Sequence, residues 1–293
     1  MMSILNHKPR AAESQAEIAR LLRKGDCPVS EKRHRHKRMG KVAKVITASA
    51  VVLGLAFCGV VNERYNVYIN VGSCAQQSQS LNTKSGPISG ASSNNWSGYV
   101  AAPKDFSSVS ASWNVSCVDG SFAPKTSAQW VGLGNSSIIQ AGTISKTVLG
   151  LKVYSTFYEV YPEPSAPLGL KVEPGDNVSA NISLINAKNG LWRITVSDTS
   201  RSESVSRVVH YYGAHDTAEW IVEKPATKLY SFSLADFNVA SFSNASASVS
   251  GVTYGLASLP NVGYSMVDGS GRQISVPSSL LGGGSFFVYY VNR

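Results

Sequence analysis

The sequence predicts an all-β domain, an antiparallel two-sheet β-sandwich, preceded by one N-terminal transmembrane helix. Three observations lead there. From residue 91 onwards apolar and polar residues alternate with a period of two in several segments, separated by Gly, Pro, Asn and Ser turns. No long helical periodicity follows residue 62, and many short strands without helices read as a sandwich. Ahead of them, an apolar run directly follows a block of basic residues.

The basic block accounts for the charge. The chain has 293 residues and a formal net charge of +9. Residues 1–45 hold 12 Lys/Arg and 4 Asp/Glu, whereas the other 248 hold 15 and 14, so the rest of the chain is close to neutral. The arm centres on Lys32-Arg33-His34-Arg35-His36-Lys37-Arg38. Such a cluster can bind nucleic acid. The apolar run beside it and the neutral domain beyond it favour a membrane reading instead.

That run extends from Val45 to Val61, between Lys44 and Asn62-Glu63. It is at the short end for a membrane span. Flanking Lys and Arg place the N-terminus in the cytoplasm and the rest outside. Residues 1–44 therefore read as a basic cytoplasmic arm, 45–62 as a transmembrane signal anchor, 63–90 as a polar linker or pro-segment, and 91–293 as the β-sandwich domain. The alternative is a cleaved export signal and a secreted protein. The arm is long for one, and no small-x-small cleavage site follows the run. Of the four cysteines, Cys27 lies in the arm and Cys58 in the span, so only Cys74 and Cys117 would face the outside; they are able to bridge, but spacing does not decide it.

Within the domain the strands follow in order. Val109, Ala111, Trp113 and Val115 share one face. Val178, Ala180, Ile182 and Leu184 alternate with polar residues, a turn runs through Asn186–Gly190, and Trp192, Ile194 and Val196 alternate again, which makes a hairpin. Phe286–Val291 reads as the closing strand. Asp268-Gly269-Ser270-Gly271 reads as a turn. The domain is sparsely charged, which makes stability less sensitive to acid and points weakly to an acidic outside medium.

The chemistry concentrates around Ala218-Glu219-Trp220-Ile221-Val222-Glu223. Glu219 lies inside an apolar run that reads as a buried strand. A buried carboxyl without a charged partner has a raised pKa and suits acid–base work. Alternation puts Ala218, Trp220 and Val222 on one face, and Glu219, Ile221 and Glu223 on the other. There is no Gly-x-Ser-x-Gly elbow, no His-Glu-x-x-His and no Cys/His spacing for zinc, so no metal or cofactor is expected. His210 and His215 leave a Ser-His-Asp arrangement open, although nothing marks a nucleophile. Asp216-Thr217-Ala218 faintly echoes the Asp-Thr-Gly of aspartic peptidases but has no second copy.

Five segments, in order, resemble the glutamic peptidases (eqolisins), acid endopeptidases best known from fungi. They are Asn95-Trp96-Ser97-Gly98, Gln129-Trp130-Val131-Gly132-Leu133-Gly134, Ser137-Ile138-Ile139-Gln140-Ala141-Gly142, Phe157-Tyr158-Glu159-Val160-Tyr161-Pro162 and Ala218–Glu223. The resemblance implies a concanavalin/lectin-like sandwich with the active site on a concave sheet face. It implies Gln140 and Glu219 as a catalytic dyad and polypeptides as substrates. Glu159, Trp96, Trp130 and Tyr158 are the expected supporting or substrate-binding residues. Three positions depart from the family pattern: Gly134 stands where an Asp is common, and Val160 and Phe157 each replace a Trp. A monomer is expected. The competing reading is a non-catalytic sandwich that binds carbohydrate or peptide on its aromatic face.

Overall fold

The computed structural model describes residues 68–70, 90–102, 105–226 and 232–291, the first of these as backbone alone. The basic arm and the apolar run lie outside the described residues, so the expected cytoplasmic tail and membrane anchor do too. Among the described residues no helix is long and apolar enough to cross a membrane.

The strands, in chain order, begin with β1 (Tyr68–Asn70), β2 (Ala91–Ser93), β3 (Trp96–Ala101), β4 (Phe106–Asn114), β5 (Lys125–Gly134) and β6 (Ile138–Val148). Then come β7 (Leu151–Tyr161), β8 (Ala166–Pro167), β9 (Asn177–Asn186), β10 (Leu191–Asp198), β11 (Glu203–His210) and β12 (Thr217–Glu223). The last are β13 (Ser233–Leu234), β14 (Val239–Val249), β15 (Val252–Gly255), β16 (Asn261–Val267), β17 (Gln273–Pro277) and β18 (Phe286–Tyr290). One 3-10 turn, Leu256–Ser258, is the sole helical element among the described residues.

Pairing arranges them in two sheets. The first runs β7-β6-β5-β12-β3-β16-β17-β18 and ends on the start of β14. The second runs β15-β14-β4-β9-β10-β11. Strand β14 belongs to both. Its register slips between Ser243 and Ser246, where Asn244 takes a positive φ of 54°, and the strand turns the corner from one sheet to the other. Nearly all pairings are antiparallel. The exceptions are two short parallel contacts, β13 on β5 and β2 on β16. Part of the segment read as a linker is a strand: β1 adds to the edge of β7.

The alternation read from the sequence supplies the core. Val109, Ala111 and Trp113 of β4, Val178, Ala180 and Ile182 of β9, and Trp192, Ile194 and Val196 of β10 are all buried in it. The first sheet contributes Val131, Leu133, Ile139, Ala141, Ala218, Trp220 and Val222. Buried indoles need a partner for the N–H. Trp113 donates to Thr143 Oγ1 across the layers at 3.0 Å, and Trp220 donates to the carbonyl of Ser110 at 2.9 Å. These bonds tie the first sheet to the second with its inner face fixed. The residues of opposite parity on β5, β6, β7 and β12 therefore lie on the outer face. There a second, smaller apolar cluster forms from Ala128, Trp130, Ile138, Phe157 and Ile221.

Candidate active site

Register places the outer-face residues in rows across the strands. Glu219 on β12 pairs with Gly132 on β5, Gly132 pairs with Gln140 on β6, and Gln140 pairs with Glu159 on β7. One row thus reads Glu219, Gly132, Gln140, Glu159. Paired residues project to the same face. The next row reads Gly98, Ile221, Trp130, Gly142, Phe157, and the one beyond it begins Trp96, Glu223, Ala128. Residues 79 positions apart in sequence, Gln140 and Glu219, come to flank one glycine.

Gly132 keeps the space between them open. A Cβ there would lie 2.8 Å from Cζ3 of Trp130, 3.1 Å from Ile138 and 3.3 Å from Cβ of Gln140. The Trp130 ring, the Ile138 side chain and Cβ of Gln140 border this gap. Gly134 is equally constrained. A Cβ would fall 2.2 Å from the carbonyl oxygen of Ser137, so no Asp fits at this departure from the family pattern.

The polar atoms are specifically engaged. Gln140 Nε2 donates to Glu159 Oε2 at 2.5 Å, which leaves its second N–H and its Oε1 free of that bond. Gln140 Oε1 is buried and has no hydrogen-bond partner. Glu219 is 2 % and Gln140 6 % exposed. Thr217 Oγ1 contacts Glu219 Oε1 at 2.9 Å, while Glu219 Oε2 is buried without a partner. Two orphaned acceptors thus lie one on each side of Gly132, and farther along the face the Trp96 N–H also lacks a partner. Buried polar atoms are nearly always paired, so these two require a chemical reason.

The electrostatics are those of crowded, dehydrated acids. Burial pushes the Glu219 carboxyl up to about 7; the Thr217 hydroxyl opposes this, and the charges of Glu223 and Asp216 add to it. Burial also pushes Glu223 up to about 7, against the Trp130 and Asn95 donors and with the charge of Glu159. Trp130 Nε1 donates to Glu223 Oε2 at 2.9 Å and Asn95 Nδ2 to Oε1 at 3.3 Å. The Trp96 N–H also favours the Glu223 anion, but from a position without a well-formed hydrogen bond. Burial raises Glu159, and the Gln140 N–H acts in the other direction.

Of the six residues expected from the sequence, five share this face: Gln140, Glu219, Glu159, Trp96 and Trp130. Trp96 and Trp130 pack edge to face, with centroids 5.3 Å apart. Tyr158 is a correction. It pairs with Ala141 and packs against the core between the sheets, because it alternates with Phe157 and Glu159. The structure adds Thr217, Glu223, Asn95 and Gly132 to the site. Thr217 and Glu223 share the parity of Glu219, and that signal was present in the sequence. The two histidines form no hydrogen bond to a serine: His210 bonds to the carbonyl of Asn189 and stacks on Tyr212, and His215 packs against Trp192.

The sequence profile of the peptidase A4 family matches residues 94–275. Among solved structures, the chain is similar to Scytalido-glutamic peptidase with a peptide-based transition state analog, at 20 % identity and a TM-score of 0.58, over 68 % of this chain and 98 % of that one. It is similar to SCP-B, a member of the eqolisin family in complex with the tripeptide Ala-Ile-His, at 19 % identity and a TM-score of 0.55, over 68 % and 98 %. A third is aspergilloglutamic peptidase from Aspergillus niger, at 24 % identity and a TM-score of 0.51, over 57 % and 99 %. No curated protein matches the chain in a sequence search.

Proposed function

Because the chain belongs to the peptidase A4 family and is a glutamic-type endopeptidase, we propose that Glu219 and Gln140 carry its chemistry by activating one water molecule. The observation that carries this reading is the pair of orphaned buried acceptors, Glu219 Oε2 and Gln140 Oε1, flanking Gly132. A water has two protons to donate, one for each. Ionised Glu219 takes a proton as the water oxygen attacks the scissile carbonyl carbon. The free N–H of Gln140 donates to the oxyanion that develops. Glu219 then returns its proton to the departing amine as the C–N bond breaks. Glu159 is the orienting group: its carboxylate accepts from Nε2 and so sets which end of the amide faces which partner. Trp96 and Trp130 are the apolar walls for substrate side chains.

The proposed working range is acidic. Burial holds Glu219 neutral below about pH 7. A water that donates a hydrogen bond to Oε2 favours the ionised form and moves the carboxyl back toward its ordinary range, where it is ionised in mild acid. We also propose that residues 45–62 anchor the chain and place the domain outside the cytoplasm. Cys117 is disulfide-bonded, which fits an oxidising compartment.

The test is hydrolysis of a denatured protein by the intact chain, from acid to neutral pH, with Glu219→Gln and Gln140→Ala. Loss of one oxyanion donor costs roughly 100-fold or more in kcat. Gln140→Ala is expected to lose at least that, and Glu219→Gln more. Full activity in both variants removes the dyad and places the hydrolysis on other residues.

A further inference from the structure

We propose that Thr217 is a positioning residue that holds Oε1 of Glu219 and thereby reserves Oε2 for proton exchange with water and amine. The inference rests on the acid–base role of Glu219 argued above. It starts from a valence count. Thr217 Oγ1 contacts two oxygens, Glu219 Oε1 at 2.9 Å and the backbone carbonyl of Gly134. A hydroxyl has one proton to donate, and a carbonyl oxygen can only accept. Both contacts cannot be donations from Thr217 at once.

The two protonation states of Glu219 resolve the conflict. With Glu219 ionised, the hydroxyl turns its proton to Oε1, a charge-assisted bond, and Gly134 gives up that donor. With Glu219 neutral and its proton on Oε1, the carboxyl donates to Oγ1 and the hydroxyl turns to Gly134. In either state Oε1 is engaged and Oε2 is free, as Oε2 is here. During hydrolysis the water proton goes to Oε2 and on to the amine, and Thr217 keeps its bond to Oε1 throughout. Glu219 ends the cycle as it began.

The location makes this specific. Thr217 opens β12 two residues before Glu219 and faces the same side, paired with Gly134 at the end of β5. The titratable groups around Glu219 are Asp216, Glu223 and Tyr211, all acidic, with Glu159 across the row. β5 and β3 present Gly132 and Val100 to it, neither of which titrates. Among the described residues no cation contributes, and Thr217 alone donates to the carboxylate.

The experiment uses the intact protein with Thr217→Val, Thr217→Ser and Thr217→Ala. Val keeps the β-branched shape and removes the hydroxyl; Ser does the reverse. Ionisation of Glu219 is read by infrared spectroscopy on isotope-labelled glutamate, with its band assigned by loss in Glu219→Gln. Activity is followed as kcat and KM across pH. The expected result is that Val raises the Glu219 midpoint by about one pH unit and lowers kcat about tenfold in acid, with KM little changed. Ser restores both. If Val does not fold, Ala against Ser isolates the hydroxyl in the same way. An unmoved midpoint and wild-type kcat in Val, or a Ser variant as impaired as Ala, overturns the proposal. An active Glu219→Gln overturns the dyad itself, and an unmoved midpoint with an inactive Glu219→Gln overturns Thr217 alone.

Discussion

Replacing Glu219 with Gln is expected to make the protein more stable at neutral pH and less responsive to acid. The carboxyl has an ordinary pKa of 4.5 and is pushed up to about 7 in the folded chain. Between those values the folded state holds a proton that the unfolded state has released. Stability therefore falls as pH rises through that window, since the folded state binds more protons. About two and a half units at about 1.4 kcal/mol each make this on the order of 3 kcal/mol for Glu219 alone. Glu223, pushed up to about 7 by the same cause, adds a comparable share, less what the two carboxyls hold in common. The wild type is thus expected to be more stable near pH 4.5 than above pH 7, the reverse of a protein held by salt-bridged carboxylates. Gln is uncharged at every pH, so the variant loses one share of the slope. Urea unfolding, followed by fluorescence of the buried Trp113, Trp130, Trp192 and Trp220, reads this directly. Parallel stability–pH curves for wild type and Glu219→Gln would refute the argument that Glu219 is dehydrated.

Three further expectations are independent. Gly132→Ala introduces a methyl 2.8 Å from the Trp130 ring into a backbone that any residue adopts; the expected cost is about 1–3 kcal/mol in unfolding free energy and about 100-fold in kcat/KM, checked by urea unfolding and kinetics. Trp130→Phe removes the N–H that Glu223 accepts, so the Glu223 midpoint rises further, and an infrared titration that finds it unmoved contradicts the bond. For the proposed anchor, mass spectrometry of the membrane fraction should recover a chain that retains residues 45–62; a soluble chain starting beyond them means cleavage and secretion.

Local patterning made the sheet faces legible. Period-two alternation separated Ala218, Trp220 and Val222 from Glu219, Ile221 and Glu223, and the structure buries the first three between the sheets. The same parity argument would have excluded Tyr158, because Glu159 and Tyr158 are consecutive in one strand and point to opposite faces. Cross-strand register was not legible. Nothing near Gly132 in sequence indicates that it separates Gln140 from Glu219, since that depends on two ladders joining residues far apart in the chain. The corner in β14 was hidden for a similar reason. Asn244 carries a positive φ and the register slips there, but Ser243-Asn244-Ala245 reads locally as one more stretch of polar strand. Thr217 is not legible in the sequence, where hydroxyl residues are abundant in this domain. Its significance comes from the two acceptors it meets, which only the folded chain reveals.

The most direct test of the central claim is a crystal structure of the protein with a peptide whose scissile carbonyl is replaced by a hydrated ketone, a mimic of the tetrahedral intermediate. The account requires one of its two geminal oxygens within about 2.6–3.2 Å of Glu219 Oε2, with the Gln140 amide bonded to the same pair of oxygens above Gly132. A bound peptide whose geminal oxygens meet neither side chain, or meet Glu219 with Gln140 turned away, would contradict it.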